Sequence, residues 1–278
     1  MKKILTLALL AVTSLAASAQ EDKYKAEMDM LDAQGEAIIK QYKELTAKDP
    51  KSEEPATRAK IMAYSQMLDS ISNLQVQLIR RIARENKQNQ LPASYIAEAM
   101  YELGYEGLKE VLDPQATYYS NPALERAKKL LAGYEKRAPG NTFKELTMKD
   151  MDDRDVTLSQ WVGRGQYVLV DFWASWCGPC RKEMPNVVAC YEKYHAKGFN
   201  VVGVSFDQKK EAWVAAVQQL GMRWPQMSDL KGWKCAAAEV YGISSIPSNV
   251  LVDPQGKIIA MDLRDTKLAQ KLKEIYGE

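Results

Sequence analysis

The sequence predicts an α/β domain preceded by a mostly α-helical N-terminal domain. Three observations predict this division. Apolar residues recur at helical spacing through residues 20–138, compact apolar runs alternate with helical patterns from residue 139 onward, and Ala138-Pro139-Gly140 separates the two patterns. A length of 278 residues accommodates two domains. The predicted boundaries are 1–19 for a leader segment, 20–138 for the helical domain and 139–278 for the α/β domain.

The composition is ordinary for a globular protein and excludes several classes of function. Hydrophobic residues make up 46% and charged residues 27% of the chain, which excludes collagen-like, low-complexity and multi-pass membrane classes. The 38 basic and 36 acidic side chains give a net charge of +2 without long runs of one sign, so no nucleic-acid partner is expected. Four cysteines are too few for a disulfide scaffold, and a single histidine disfavours most zinc sites, so we expect neither a metal nor another cofactor.

The first 19 residues have the pattern of a secretory signal peptide. Lys2 and Lys3 precede an apolar stretch over residues 4–15, and the small residues Ala17-Ser18-Ala19 follow it. The apolar stretch is shorter than the roughly 20 residues that a membrane-spanning helix needs. We expect cleavage after Ala19, which removes two of the 38 basic side chains and leaves 36 against 36 acidic ones. The expected location is the periplasm of a bacterium.

Two amphipathic runs in the helical domain predict an antiparallel helical hairpin. Each run places apolar residues at spacings of three and four, which puts them on one helical face. These residues are Tyr24, Met28, Leu31, Gly35, Ile38, Tyr42 and Leu45 in the first run, and Ile61, Tyr64, Leu68, Ile71, Leu74, Leu78 and Ile82 in the second. Further helices are predicted at residues 92–112 and 122–136. These apolar stripes favour a helical bundle in which they form the core. The alternative is that they form the interface of a homodimer through the helical domain.

From residue 139 onward the pattern predicts a βαβ arrangement. The predicted strands are residues 143–148, 156–158, 167–172, 201–206, 249–252 and 258–261. The predicted helices are residues 178–196, 211–220 and 266–276. The last two strands form a hairpin through Asp253-Pro254-Gln255-Gly256.

Two cysteines lie between the first long strand and its helix. Cys177-Gly178-Pro179-Cys180 follows the strand directly, which places both sulfurs at a helix N-terminus. Unpaired backbone N–H groups and the positive end of the helix dipole stabilise a thiolate there. Cys177 is therefore the candidate nucleophile, and Cys180 is the candidate resolving thiol. Half of a zinc site or a structural bridge is the alternative, but the sequence has no second Cys or His pair at ligand spacing.

The surroundings of the cysteines carry a family resemblance. Residues 168–185, which read VLVDFWASWCGPCRKEMP, resemble the thioredoxin superfamily and specifically the TlpA/ResA-like secreted thiol–disulfide oxidoreductases. The resemblance covers residues 138–278 and includes Ser245-Ile246-Pro247, whereas the helical domain lies outside it. It implies an α/β thioredoxin-like fold, with a central mixed sheet flanked by helices, and protein-disulfide reductase activity. The partners that it implies are disulfide-containing secreted or periplasmic proteins and a membrane electron donor of the family type.

The resemblance also implies roles for residues near the cysteines. Asp171 matches the family's buried acid that assists proton transfer at the resolving cysteine, and burial raises the pKa of such a carboxyl. The alternative is a strand-end aspartate satisfied by backbone donors. Glu183 matches an acid near the active site of ResA-like members, with a solvated helix residue as the alternative. Pro247 matches the family's cis-proline. The candidate substrate contacts are Trp176, Gly178, Pro179, Ile246 and Pro247.

Three other residues are given structural interpretations. Cys190 and Cys235 fall on helices that occupy opposite sheet faces in the family fold, so we expect both to be free and buried. His195 is interpreted as a solvated residue at a helix end.

The direction of electron flow is predicted from the residues between the cysteines. The Gly-Pro pair between the cysteines resembles that of thioredoxin, whose reduction potential is about −270 mV, compared with about −120 mV for the oxidase DsbA. This resemblance favours a reductant. Residues 139–140 and the hairpin after them also resemble peroxiredoxins, so a thiol peroxidase is an alternative. However, Ser175-Trp176-Cys177 lacks the threonine found two residues before a peroxidatic cysteine. A helical assembly module that carries a redox domain is the third hypothesis.

Overall fold

The computed structural model describes the backbone of residues 2–49 and 54–277 and the side chains of residues 20–49 and 54–277. The chain divides into two compact units, Met1–Lys128 and Lys129–Glu278. This division falls within a helix, and the domain boundary predicted at residues 138/139 stays a prediction. The predicted signal peptide lies outside the described side chains. In the part of the chain that is described, every helix is too short or too polar to cross a bilayer.

The first unit is built from helices. They are α1 (Lys2–Lys48), α2 (Pro55–Glu85), α3 (Pro92–Glu98) and α4 (Met100–Val111), followed by two 3-10 turns and by α5 (Glu125–Glu135), which continues into the second unit. The single helix predicted at residues 92–112 is divided in two. Ala99 leaves the helical region with φ −101° and ψ 24°, and Gly104 has φ 60°, a conformation that glycine adopts without steric cost.

Helices α1 and α2 form the predicted antiparallel hairpin. Glu27 pairs with Arg81 at 2.5 Å and Asp32 accepts a hydrogen bond from Gln75 at 2.6 Å, so positions further along α1 meet positions further back along α2. The buried apolar cluster of the hairpin consists of residues from the predicted stripes: Tyr24, Leu31, Ile71, Leu78 and Ile82. Ile79 and Ala83 of α2 are also buried but lie outside the predicted stripe. Leu74 is 49% exposed instead, because two packed helices cover only the stripe on which they face each other.

The second unit is built on a mixed sheet, in which the described residues form seven strands. They are β1 (Thr147–Lys149), β2 (Asp155–Thr157), β3 (Tyr167–Trp173), β4 (Phe199–Ser205), β5 (Gln226–Ser228), β6 (Ser248–Val252) and β7 (Ile258–Met261), in the spatial order β2-β1-β5-β4-β3-β6-β7. β3 pairs parallel with β4 and antiparallel with β6. Every residue of β3 after Tyr167 is buried. The strand that leads to the cysteines is therefore held on both edges and covered on both faces.

The helices of the second unit agree closely with the predicted ones. They are α6 (Gly178–Tyr194), α7 (Lys210–Gln219), α8 (Ala236–Val240) and α9 (Thr266–Tyr276). α9 has the predicted bounds, and α6 ends two residues before its predicted end. The short helix α8 was not delimited by the sequence pattern.

Two strand predictions were inaccurate. The strand predicted at residues 143–148 is reduced to β1, because Phe143 N–H donates to the Gly256 carbonyl at 2.9 Å and Lys144 N–H donates to the Tyr241 hydroxyl at 2.9 Å. These backbone donors are satisfied by a turn and a side chain rather than by a neighbouring strand. β5 was not predicted, because its three residues include the buried polar side chains of Gln226 and Ser228 and form no apolar run.

A close backbone contact fixes the start of the segment that leads to Pro247. Gly242 has φ +64°, and a Cβ atom on it would lie 2.3 Å from the Gly133 carbonyl oxygen. The Arg137 guanidinium donates to the Gly242 carbonyl at 2.9 Å. Only glycine satisfies both the backbone conformation and the close approach.

We expect Gly242→Ala to lower the free energy of unfolding by about 3 kcal/mol, because alanine would take a left-handed conformation and also displace Gly133. Urea-induced unfolding measures this loss. Gly221→Ala is the matched control, since Gly221 has φ +68° and no atom lies within 4 Å of its added Cβ. The control should lose only about 1 kcal/mol, and equal losses would contradict the steric explanation.

Candidate active site

Cys177 and Cys180 form a disulfide bond at the N-terminus of α6. Cys177 is the N-cap residue of the helix, and Cys180 lies in its first turn. The Cys180 backbone N–H donates to Cys177 Sγ at 3.2 Å. An N–H group that has no partner within the helix therefore points at the sulfur predicted to be the nucleophile.

The disulfide is nearly buried, but the residues around it are exposed. Cys177 exposes 4% of its surface and Cys180 exposes 1%. Gly178 and Pro179, which lie between them, are exposed, and the side chain of Trp176 is 54% exposed. A partner that approaches the sulfurs would therefore contact these three residues, although their predicted role in substrate binding stays a prediction.

The segment around Pro247 lies against the disulfide. The Ile246–Pro247 peptide bond is cis, as the resemblance implied. The Ile246 carbonyl oxygen lies 3.7 Å from Cys177 Sγ, and the Pro247 carbonyl accepts a hydrogen bond from the Arg264 guanidinium. Ile246 is half-buried and Pro247 is buried. Two of the predicted substrate contacts are thus brought to Cys177 Sγ from a distant part of the chain.

Asp171 lies on β3 and is 3% exposed. In register it sits between Gly203 of β4 and Asn249 of β6. Burial, reinforced by the negative charge of Glu183 and opposed by Arg264, raises the pKa of its carboxyl to about 7. The group can therefore take up and release a proton near neutral pH.

Glu183 has well-defined structural contacts. Its carboxylate accepts hydrogen bonds from the Asp265 backbone N–H at 3.0 Å and from the Asn186 side chain at 2.7 Å. It therefore holds the residue that precedes α9, and its charge also acts on Asp171. The interpretation of Glu183 as a freely solvated helix residue does not describe it, and its catalytic role stays a prediction.

Asp207 was missed by the sequence reasoning. It follows β4, is 1% exposed, and accepts hydrogen bonds from Ser175 N–H at 2.9 Å, Ser175 Oγ at 2.5 Å and Ser205 Oγ at 2.8 Å. It therefore anchors the loop that carries Trp176 to the end of the neighbouring strand. A signal was present, because Asp207 follows a buried parallel strand at the sheet edge where the cysteines lie.

Trp173 belongs to the core. Its side chain is fully buried, and its Nε1–H donates to Gln226 Oε1 at 3.1 Å. Gly203 makes room for this amide, since a Cβ atom there would lie 2.2 Å from Gln226 Oε1. Trp173 is therefore a core residue on the strand that leads to the site, whereas Trp176 is exposed next to the disulfide.

The other two cysteines are free and buried, as predicted. Burial raises the pKa of Cys190 to about 11 and that of Cys235 to about 12. His195 is exposed at the end of α6, with its ring stacked on Tyr191 at 4.4 Å. Within residues 20–49 and 54–277, no cluster of three or more His, Cys, Asp or Glu side chains is arranged to hold a metal ion.

The chemistry of the site follows from its paired sulfurs. Two cysteines three residues apart at a helix N-terminus can exchange two electrons with an external thiol or disulfide by opening and reclosing their bond. The mixed sheet with its flanking helices is the thioredoxin-like fold that the resemblance implied. Fold and site together define a thiol–disulfide oxidoreductase.

Comparisons with known proteins agree with this class. The model of the AhpC/TSA family matches residues 139–261. The thiol-disulfide oxidoreductase ResA of Bacillus thuringiensis (strain Al Hakam) is 32% identical over 128 residues, which cover 46% of this chain and 71% of that protein. ResA of Bacillus subtilis (strain 168) is 27% identical over 130 residues, covering 47% and 70%. The chain belongs to the ResA family of thiol–disulfide oxidoreductases.

Solved structures resemble the same half of the chain. The thioredoxin domain of a thiol-disulfide oxidoreductase from Bacteroides vulgatus is 36% identical, covers 50% of this chain and 97% of that one, and superimposes with a TM-score of 0.46. A thiol-disulfide oxidoreductase from Bacteroides fragilis is 31% identical, covers 49% and 99%, and has a TM-score of 0.46.

Proposed function

We propose that the protein reduces disulfide bonds in other proteins, with Cys177 as the attacking sulfur and Cys180 as the resolving sulfur. The observation that carries the proposal is the hydrogen bond from Cys180 N–H to Cys177 Sγ at 3.2 Å. The same N–H would stabilise the Cys177 thiolate once the disulfide is reduced, and the thiolate is the form that attacks a disulfide. The Gly-Pro pair between the cysteines supports a reductant rather than an oxidase.

The proposed reaction transfers two electrons in two steps. The Cys177 thiolate attacks one sulfur of the substrate disulfide, forming a mixed disulfide and releasing the other substrate sulfur as a thiolate. Cys180 then loses its proton and attacks Cys177 Sγ, forming the Cys177–Cys180 disulfide and releasing the second substrate sulfur. The substrate disulfide is thereby reduced and the enzyme dithiol is oxidised. Two electrons from a membrane electron donor return the enzyme to its dithiol form.

Asp171 is proposed as the base for the second step. Cys180 must lose a proton before it attacks, and Asp171 is a buried carboxyl with a pKa of about 7 on the strand that leads to the cysteines. Its ionised form, which predominates above that pH, can accept the proton directly or through water. Its neutral form cannot.

We expect Cys180→Ser to trap substrate proteins as mixed disulfides on Cys177, because serine cannot complete the second step. Non-reducing electrophoresis of cells that express this variant should show adducts that dithiothreitol releases. Cys177→Ser is the matched control and should yield none. Adducts that form equally with both variants, or with neither, would contradict the assigned roles.

A comparison of two reactions of the dithiol form separates reduction from the peroxidase alternative. A thiol peroxidase would consume hydrogen peroxide through Cys177 faster than it reduces a protein disulfide such as those of insulin. Stopped-flow measurements of both reactions on the dithiol form should favour insulin. Faster peroxide consumption would replace the proposal with the peroxidase alternative.

We expect Asp171→Asn to slow release of the reduced substrate roughly 10²-fold at pH 8, because the variant has no carboxylate to accept the Cys180 proton. In the wild type the release rate should rise as the pH passes about 7, where Asp171 ionises, and the variant should lose this rise. Rapid quenching with mass spectrometry resolves the mixed disulfide from released product. Glu211→Gln, which removes an exposed carboxylate on α7, is the control. Equal slowing of attack and release would make Asp171 a structural residue.

We also propose that the protein acts outside the bacterial cytoplasm on disulfide-containing secreted or periplasmic proteins. The pattern of residues 1–19 supports this location. N-terminal sequencing of protein recovered from the periplasmic fraction should begin at Gln20. Ala19→Leu, which removes the small residue before the cleaved bond, should retain the leader. Wild-type protein that starts at Met1 in the cytoplasm would contradict the proposed location.

A further inference from the structure

Two half-exposed tryptophans lie side by side next to the active-site disulfide. Trp176 directly precedes Cys177 and is 54% exposed, and Trp233 is 49% exposed. Their ring centroids are 6.2 Å apart with an interplanar angle of 58°. We call this pair the aromatic surface. Trp233 was not singled out by the sequence, because a lone aromatic residue in a loop has no periodic pattern.

The loop that carries Trp233 is closed by a single carboxylate. Asp229 accepts hydrogen bonds from Lys231 N–H at 3.1 Å and from Ala236 N–H at 2.9 Å, so it ties both ends of the 3-10 turn that contains Trp233. Gly232 has φ +57°, and a Cβ atom on it would lie 2.9 Å from the Gln208 side chain. The loop is therefore built to hold one conformation.

Two buried residues after β4, Phe206 and Asp207, also hold the aromatic surface in place. Phe206, which is fully buried, meets the Trp233 ring edge to face at 5.4 Å and 67°. The next residue, Asp207, holds Ser175 and with it the loop of Trp176. Both tryptophans are thus fixed from the end of β4 before any partner arrives, which lowers the entropic cost of binding.

We propose that Trp176 and Trp233 bind a large apolar side chain, aromatic or aliphatic, that lies within two residues of the oxidised cysteine of a polypeptide substrate. The surface is continuous with the attacking sulfur through Trp176 and Cys177. Two residues of extended chain span only about 7 Å, so a side chain within two residues of the oxidised cysteine stays close to Trp176. Tryptophan is one of the residue types enriched among the few side chains that dominate binding energy at protein interfaces. This inference rests on the proposed reductase function and specifies its substrate.

The test uses the full-length reductase and two disulfide-linked peptides that differ only in carrying Phe or Ser two residues from the cysteine. The wild type should have a kcat/KM about tenfold higher for the Phe peptide, the size of one well-packed aromatic contact. Trp233→Ala should abolish this preference, and Trp233→Phe should keep most of it. Lys234→Ala, which changes an exposed neighbour in the same turn, should keep all of it.

The possible outcomes are distinguishable. A Trp233→Ala variant that retains the preference would overturn the inference, and so would one that loses activity equally toward both peptides, since Trp233 would then be structural. A wild type that reduces both peptides at the same rate would also overturn it while leaving the reductase function intact. A wild type that reduces neither peptide would overturn the proposed function itself.

Discussion

The contact between the N-terminus of α6 and Cys177 Sγ is the interaction on which the rest of the site depends. It requires a helix that begins at the sulfur and a strand that delivers the chain to that point. β3 meets the second requirement because it is paired on both edges and buried on both faces. The Cys180 N–H then meets the sulfur at 3.2 Å. The N–H groups in the first turn of a helix have no acceptor within the helix, and an anion at this position accepts a hydrogen bond from one of them.

A second group of contacts links the buried acid to the segment before α9. Arg264 donates to the Pro247 carbonyl and its charge lowers the pKa of Asp171, while Glu183 holds the backbone of Asp265 and raises that pKa. The positive charge of Arg264, on the segment before α9, and the negative charge of Glu183, on α6, therefore act on the same carboxyl group. Their opposition keeps the burial of Asp171 as the main cause of its raised pKa, so a change in either charged residue would shift the pH at which Asp171 ionises.

The sequence was sufficient wherever a local pattern determines the structure. The apolar run of β3, the cysteines after it and the amphipathic stripe of α9 each depend on neighbours in sequence, and the structure has all three as predicted. β5 could not be predicted, because its buried Gln226 is satisfied by Trp173, 53 residues away. Trp233 was missed for the same reason, since its partner Trp176 belongs to a different loop. Contacts between loops produce no periodic pattern in the sequence.

Burial does not distinguish the paired cysteines from the free ones. Cys177 and Cys190 are both 4% exposed, and Cys235 is 1% exposed. Cys235 even precedes a helix and receives backbone hydrogen bonds from Ala237 and Ala238, yet burial and the nearby Asp229 raise its pKa to about 12. Burial and the neighbouring carboxylate keep the Cys235 thiol protonated near neutral pH, whereas Cys177 and Cys180 are paired at the start of α6.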